Sequence, residues 1–397
     1  MAALKFIGGV VAMLAAGPAF AADAPGVTGT EIRIGQTMPY SGPVSPYAVI
    51  GKVEAAYFAM INDQGGVNGR KIVFESVDDA FNPAKTVELT RKLVEEDHVA
   101  FIFGSLGTPT GMAVRGYLNG SKIPQLFLAS GANALGDPAK FPWTMHFNPS
   151  YRTEAQVYAK YISREKPNAK IGVLYEADDF GRDYLRGLND VLGDKYQGMV
   201  VEASYAATDP TIDTQVITLQ SSGARTFLIA ASARWAAQAI KKSAEIGWKA
   251  LRIVNLNSTS IGGTLKPAGL QNSVGLVTAA AYKDQTSAQW KDDPDIGAWN
   301  RFLDTYMAKA DRKDGGLLYG YSVAQTIVQV LRQCGSDLSR DNIMRQATSL
   351  HHFHPAALLP GIDINTSPTA YHPINGLVLA RFDGTNWVNF SDVIAGD

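Results

Sequence analysis

Cysteine is nearly absent from this chain, since Cys334 is the only one in 397 residues. One thiol excludes an internal disulfide and every cysteine-based zinc or iron–sulfur centre. An excess of charge of one sign is also missing, with 36 Lys+Arg against 37 Asp+Glu. A general nucleic-acid binder carries a basic surplus, so that partner class is excluded. Disorder needs fewer apolar residues than the 46% present and a larger net charge than -1. Beyond the N-terminus, no apolar run approaches the ~18 residues of a membrane span. A single core stops growing near ~250–300 residues, so this length predicts two domains.

The N-terminus assigns a compartment. Lys5 precedes an apolar stretch from Phe6 to Ala16, followed by Ala19-Phe20-Ala21. A charged start, a short apolar stretch and small residues around a cut describe a secretory signal over 1–21, cleaved after Ala21. The apolar stretch is too short to serve as an anchor, because a bilayer needs ~20 residues. The expectation is a free periplasmic protein, with no nearby cysteine to carry a lipid.

What the chain does contain is a β/α rhythm. Short β-rich runs recur at Ile32–Gly35, Ile72–Phe74, Val99–Phe103, Gln125–Leu128, Ile171–Leu174, Thr226–Ile229 and Arg252–Val254. Several are continuously apolar, as parallel strands covered on both faces are. Between them lie helical stripes such as Ile50, Val53, Tyr57 and Met60, or Tyr184, Leu188, Val191 and Leu192. Asn82-Pro83 supplies a cap and an N1 proline. This alternation predicts an α/β fold of doubly wound sheets. It occurs twice, over 31–128 and 171–254, which implies two similar lobes. Phe141–Pro149 has two prolines and no period, and reads as a crossing between them. Near the C-terminus, Leu377–Ala380, Asp383-Gly384 and Trp387–Phe390 predict a hairpin.

Catalytic and cofactor motifs are lacking. No G-x-S-x-G, H-E-x-x-H or phosphate-binding G-x-x-x-x-G-K-[ST] is present, and no cofactor is expected. Gly104–Gly111 is glycine-rich but lacks the lysine of a phosphate loop. His351, His352 and His354 stand together without a local acidic or sulfur ligand, before the helix-breaking Pro355, and read as a solvated loop. Asp178-Asp179 reads as a turn after a strand.

In open α/β sheets, ligands bind beyond the carboxyl ends of strands. The residues at those ends form a set: Tyr47; Leu106, Gly107 and Thr108; Ala129, Ser130 and Gly131; then Asp178, Asp179 and Phe180, Ser232 to Arg234, and Asn257 with Ser258. Hydroxyls and free amides at helix starts suit a carboxylate, and Tyr47 and Phe180 add aromatic walls.

Several segments carry a family resemblance. Ile34-Gly35 with Ser41-Gly42-Pro43, the run from Ile61 to Arg70, Asp78-Asp79 with Asn82-Pro83, Asp178–Gly181 and Gly376–Gly384 resemble the leucine/isoleucine/valine-binding type of periplasmic solute-binding protein. The resemblance spans essentially the mature chain. It implies a type I periplasmic binding fold, two Rossmann-like lobes joined by three crossovers: 22–148 plus 281–365, and 149–280 plus 366–397. It implies a monomer, not an enzyme, that closes on a small molecule and delivers it to the permease subunits of an ABC importer. By the resemblance, Tyr47 is a pocket aromatic, Leu106, Gly107 and Thr108 hold a ligand carboxylate, and Ser130 and Gly131, next to Ala129, form a second such stretch. Phe180 stands where amino-acid binders often have tyrosine. Asn257 departs from the pattern, because those proteins place an acid there to hold the ligand ammonium. With Ser232 also in the set and Arg152 and Arg234 near the cleft, the reading is a small carboxylate without an amine, an aromatic acid. A branched-chain amino acid remains the alternative. So do a sensory ligand-binding subunit and an exported hydrolase using Asp178 or Asp179.

Overall fold

The computed structural model describes residues 24–395, so the signal over 1–21 and its cut lie outside the described residues. Two sheets organise them. The first holds five parallel strands in the order β2-β1-β3-β4-β5. They are β1 (Glu31–Met38), β2 (Lys71–Asp78), β3 (Phe101–Phe103), β4 (Gln125–Leu128) and β5 (Thr144–His146). The second begins with β6 (Ile171–Glu176), β7 (Val200–Tyr205), β8 (Thr226–Ala230), β9 (Leu251–Val254) and β10 (Val277–Ala280). It is completed by β11 (Gly376–Phe382), β12 (Trp387–Asn389) and β13 (Ile394–Ala395). Its order is β12-β11-β10-β9-β8-β6-β7, parallel from β7 to β10 and antiparallel across β11 and β12, with β13 paired to β11.

The chain crosses between the sheets three times: after β5, after β10, and on returning to β11. Between the last two crossings, helices Pro294–Tyr306 and Gly315–Cys334 pack on the first sheet's helix Val49–Asp63. The Tyr57 ring stands edge-on to Tyr321 at 4.9 Å and lies 6.1 Å from Phe302. Among the described residues, no helix is long and apolar enough to cross a membrane.

Every predicted strand forms, as does the C-terminal hairpin, and the Asn82 side chain accepts from the amides of Ala84 and Lys85. Four strands escaped the sequence reading, one of them the two-residue β13. β7 lies at a sheet edge and most of it is partly exposed, so its sequence lacks the apolar run of an interior strand. β10 is built of small residues. β5 lies inside the Phe141–Pro149 segment read as a crossing, and its three residues are too few to show alternation.

Helices Tyr151–Glu165 and Asp179–Leu192 approach most closely at Gly187. A Cβ there would lie 2.2 Å from the Arg152 carbonyl oxygen and 2.7 Å from Ala155 Cβ. Alanine is the better helix former by ~1 kcal/mol, but the backbone oxygen leaves no room, and overpacking costs ~1–3 kcal/mol. Gly187→Ala should therefore lower the urea midpoint. A raised midpoint would mean that the two helices separate at no cost.

Candidate functional site

Both sheets direct their strand ends into one cleft, which encloses about 160 Å³. On the first lobe's side, β3 ends at Phe103 and the chain turns through Leu106 and Gly107 into helix Thr108–Gly120. Gly107 has a φ of 115°, and a Cβ there would lie 2.5 Å from both Phe81 Cε2 and Thr110 Oγ1. Only glycine fits this turn. No side chain caps the helix that follows, so its first-turn amides lack intrahelical acceptors at the cleft wall. Leu106, Gly107, Thr108 and Ala129 all line the cleft. The Thr108 hydroxyl meets the buried Ser130 hydroxyl at 2.9 Å.

The second lobe presents the ends of β6, β8 and β9. Glu176, the last residue of β6, is buried, and its Oε2 accepts from Tyr205 at 2.6 Å and Ser232 at 2.7 Å. Asp178 caps helix Asp179–Leu192, its Oδ1 accepting from the Gly181 amide at 3.2 Å. Its Oδ2 is shielded from solvent and meets no donor. Burial, reinforced by the nearby Glu176 carboxylate, pushes the Asp178 carboxyl up to about 7. Phe180, Ser232 and Asn257 complete this wall.

Several contacts bridge the cleft. Tyr47 Oη donates to the Asn257 carbonyl at 3.1 Å and accepts from the Ala233 amide at 2.9 Å. Burial holds its hydroxyl up to about 12, hence neutral. Asn148 donates to Asn257 Oδ1 at 3.0 Å, and Asn257 Nδ2 donates to Tyr151 Oη at 2.8 Å. Towards solvent, Ser260 donates to Asp314 at 3.0 Å and the Gly262 amide donates to the Lys313 carbonyl at 2.8 Å.

The structure thus brings Tyr47, Leu106, Gly107, Thr108, Ala129, Phe180, Ser232 and Asn257 to one cleft. Ser130 and Gly131 lie behind it: Ser130 supports Thr108, and Gly131 packs against the Pro149 carbonyl. Both arginines lie elsewhere. Arg152 forms a two-pronged ion pair with Asp190, at 2.6 and 2.7 Å, on the helix surface. Arg234 is exposed and reaches the Pro210 carbonyl at 3.4 Å. No arginine is among the described cleft-lining residues.

Asp178 is the second correction, because its side chain does not stay in water as a turn residue's would. The third is smaller: Asp363 approaches His352 and His354 at 3.3 and 3.0 Å, an acid the local sequence did not reveal. Phe81, Asn148, Tyr151, Glu176, Tyr282 and Tyr319 also line the cleft and were missed. Phe81 follows β2 and was reachable by the strand-end rule, whereas Tyr282 follows β10, a strand the sequence reading missed, and Tyr319 sits within a helix and carried no such signal.

A profile of the periplasmic binding protein family matches residues 31–386. The chain is 26% identical over 317 residues to Leu/Ile/Val-binding protein homolog 7 of Brucella abortus, covering 76% of this chain and 77% of that one. Among solved structures it is similar to a branched chain amino acid ABC transporter from Thermus thermophilus with bound valine, at 16% identity and a TM-score of 0.82, covering 92% of this chain and 97% of that one. It is also similar to an ABC transporter solute binding protein from R. palustris in complex with benzoate, at 19% identity and a TM-score of 0.76, covering 92% and 98%.

Proposed function

The chain belongs to the periplasmic binding protein family, and from that premise we propose that it is the extracytoplasmic solute-binding subunit of an ABC importer, taking a small aromatic carboxylate between its lobes. The family is one of non-enzymatic proteins that bind small molecules and work with importer permeases. One observation carries the reading of the ligand: the uncapped start of helix Thr108–Gly120 in the cleft wall, beside the Thr108 hydroxyl. Amides at a helix start attract an anion through the dipole and through their own unmet hydrogen bonds. Among the described residues no arginine lines the cleft, Lys283 is paired with Asp293 at 2.9 Å and Lys313 is exposed, so we assign the carboxylate to these amides and Thr108.

Size and wall chemistry supply the rest. The 160 Å³ enclosed is close to the ~150 Å³ cavity that holds one benzene ring. Tyr47, Phe81, Phe180, Tyr282 and Tyr319 give the cleft aromatic walls. Asn257, whose amide is committed to Asn148 and Tyr151, supplies no charge for an ammonium. The benzoate and valine of the two structural relatives share a carboxylate, and the ring distinguishes them.

Ligand present at ~100 times its dissociation constant stabilises a protein by ~2.7 kcal/mol, a melting shift of a few degrees. That shift is expected with benzoate or a phenylpropanoid acid, and little with leucine, isoleucine or valine. Thr108→Ala should diminish it. Mass spectrometry of the molecule released by denaturing the purified protein identifies the acid directly. Branched amino acids shifting the melt while aromatic acids do nothing would overturn the ligand class and leave the family standing.

A further inference from the structure

Most buried polar side-chain atoms of a folded protein find a partner, so those that do not mark strain or a missing ligand. Three such atoms belong to cleft-lining residues: Asp178 Oδ2, Thr264 Oγ1 and Tyr282 Oη. The hydroxyls of Thr264 and Tyr282 can donate or accept, so they impose no sign on a ligand. Above about pH 7, the value to which burial raises it, Asp178 is ionised, and an ionised carboxylate oxygen only accepts. Resting on the reading of the cleft as a carboxylate-binding site, we propose that the ligand carries a hydrogen-bond donor away from its carboxylate, and that Asp178 Oδ2 accepts it.

The surroundings support this assignment. Asp178 Oδ1 is already used by the Gly181 amide, and the Phe180 amide also stands beside the carboxyl, which together fix it while Oδ2 keeps no donor at hydrogen-bond geometry. Glu176 cannot take the same role as readily, because its Oε2 already accepts from both Tyr205 and Ser232. Among the described residues no cation pairs with Asp178, while Glu176 and Asp179 add negative charge nearby. A donor arriving with the ligand removes the unmet demand that burial created. The anion-seeking helix start lies on one lobe and this acceptor on the other. A ligand meeting both joins the lobes, so the second polar group adds to selection as well as affinity.

A phenolic hydroxyl and an ammonium both supply such a donor, and matched pairs of acids separate them. Calorimetric titration of the full-length mature protein at pH 8, where Asp178 is mostly ionised, compares benzoate with 4-hydroxybenzoate, and 3-phenylpropanoate with L-phenylalanine. In at least one pair, the donor-bearing acid is expected to bind at least tenfold more tightly, and the pair that responds identifies the donor. Asp178→Asn keeps an oxygen for the Gly181 amide and places an NH2 where Oδ2 stood. It should reduce that preference to within about twofold or invert it. Comparing two ligands on one variant cancels any loss of properly folded protein. Equal binding within both wild-type pairs, or a preference that persists in Asp178→Asn, overturns the Asp178 assignment and leaves the carboxylate reading intact. If none of the four acids binds, both fail.

Discussion

Glu154→Ala should destabilise the protein by at least about 2 kcal/mol, since each of the two buried donors left unpaired costs ~1–3 kcal/mol. The Glu154 carboxylate lies in the second lobe, 1% exposed. Its Oε1 accepts from Tyr158 at 2.6 Å and from the Leu256 amide at 2.8 Å, and its Oε2 accepts from Tyr184 at 2.7 Å. Removing it strands the Tyr184 hydroxyl and the Leu256 amide, whereas Tyr158 keeps the Val254 carbonyl at 3.0 Å, and the Leu256 amide belongs to the turn that carries Asn257 into the cleft. Burial raises the Glu154 carboxyl to about 7, against ~4.3 in an unfolded chain. A folded-state value above the unfolded one means that the folded protein holds the proton more tightly. Its contribution is therefore complete below the unfolded value and is lost as pH rises through about 7. The loss is on the order of 3 kcal/mol over that window. Glu154→Gln should flatten this part of the stability profile. Urea titrations at pH 5 and pH 8 measure both effects. A wild-type protein whose Glu154-dependent stability rises over that interval would contradict the assignment.

Tyr47→Phe should weaken ligand binding about 10- to 100-fold while changing the urea midpoint little. Tyr47 comes from the first lobe, and its hydroxyl accepts from the Ala233 amide at the start of helix Ala233–Glu245, which no side chain caps. With the cleft closed, phenylalanine leaves that amide and the Asn257 carbonyl facing an apolar ring. An unpaired buried amide costs ~1–3 kcal/mol. With the lobes apart, water satisfies both groups, so the cost falls on the closed form alone and appears as lost affinity. Titration with the acid giving the largest thermal shift, compared between wild type and variant, measures it. Equal affinities would mean that ligand binding does not require Tyr47 to bridge the lobes.

The strand-end rule worked where local sequence determines local geometry. Gly107 before Thr108-Pro109, Phe180 after Asp178-Asp179 and Tyr47 after Ser41-Gly42-Pro43 each follow a strand whose apolar run was visible, and each lines the cleft. It failed at Arg152 and Arg234. Both stand at helix starts near strand ends, but side chains this long go wherever a partner waits. The partner of Arg152, Asp190, lies two turns or more along the neighbouring helix, and no local pattern announces it. Asp178 failed for a different reason. Its place in a turn after a strand was legible, but the burial of its second oxygen depends on the rest of the cleft.

By itself the sequence determined the two-lobed α/β class and the strand ends that meet in the cleft. Helix and strand periods, caps and glycine turns are short-range, and each is written within a few neighbouring residues. The tertiary structure alone decided which polar groups are buried, which are paired and which are left open. Those outcomes depend on residues far apart in the chain, such as Tyr47 with Ala233 and Asn148 with Asn257. Burial sets the cost of leaving a group unpaired, so Arg152 became a surface ion pair and Asp178 an unmet acceptor inside the cleft.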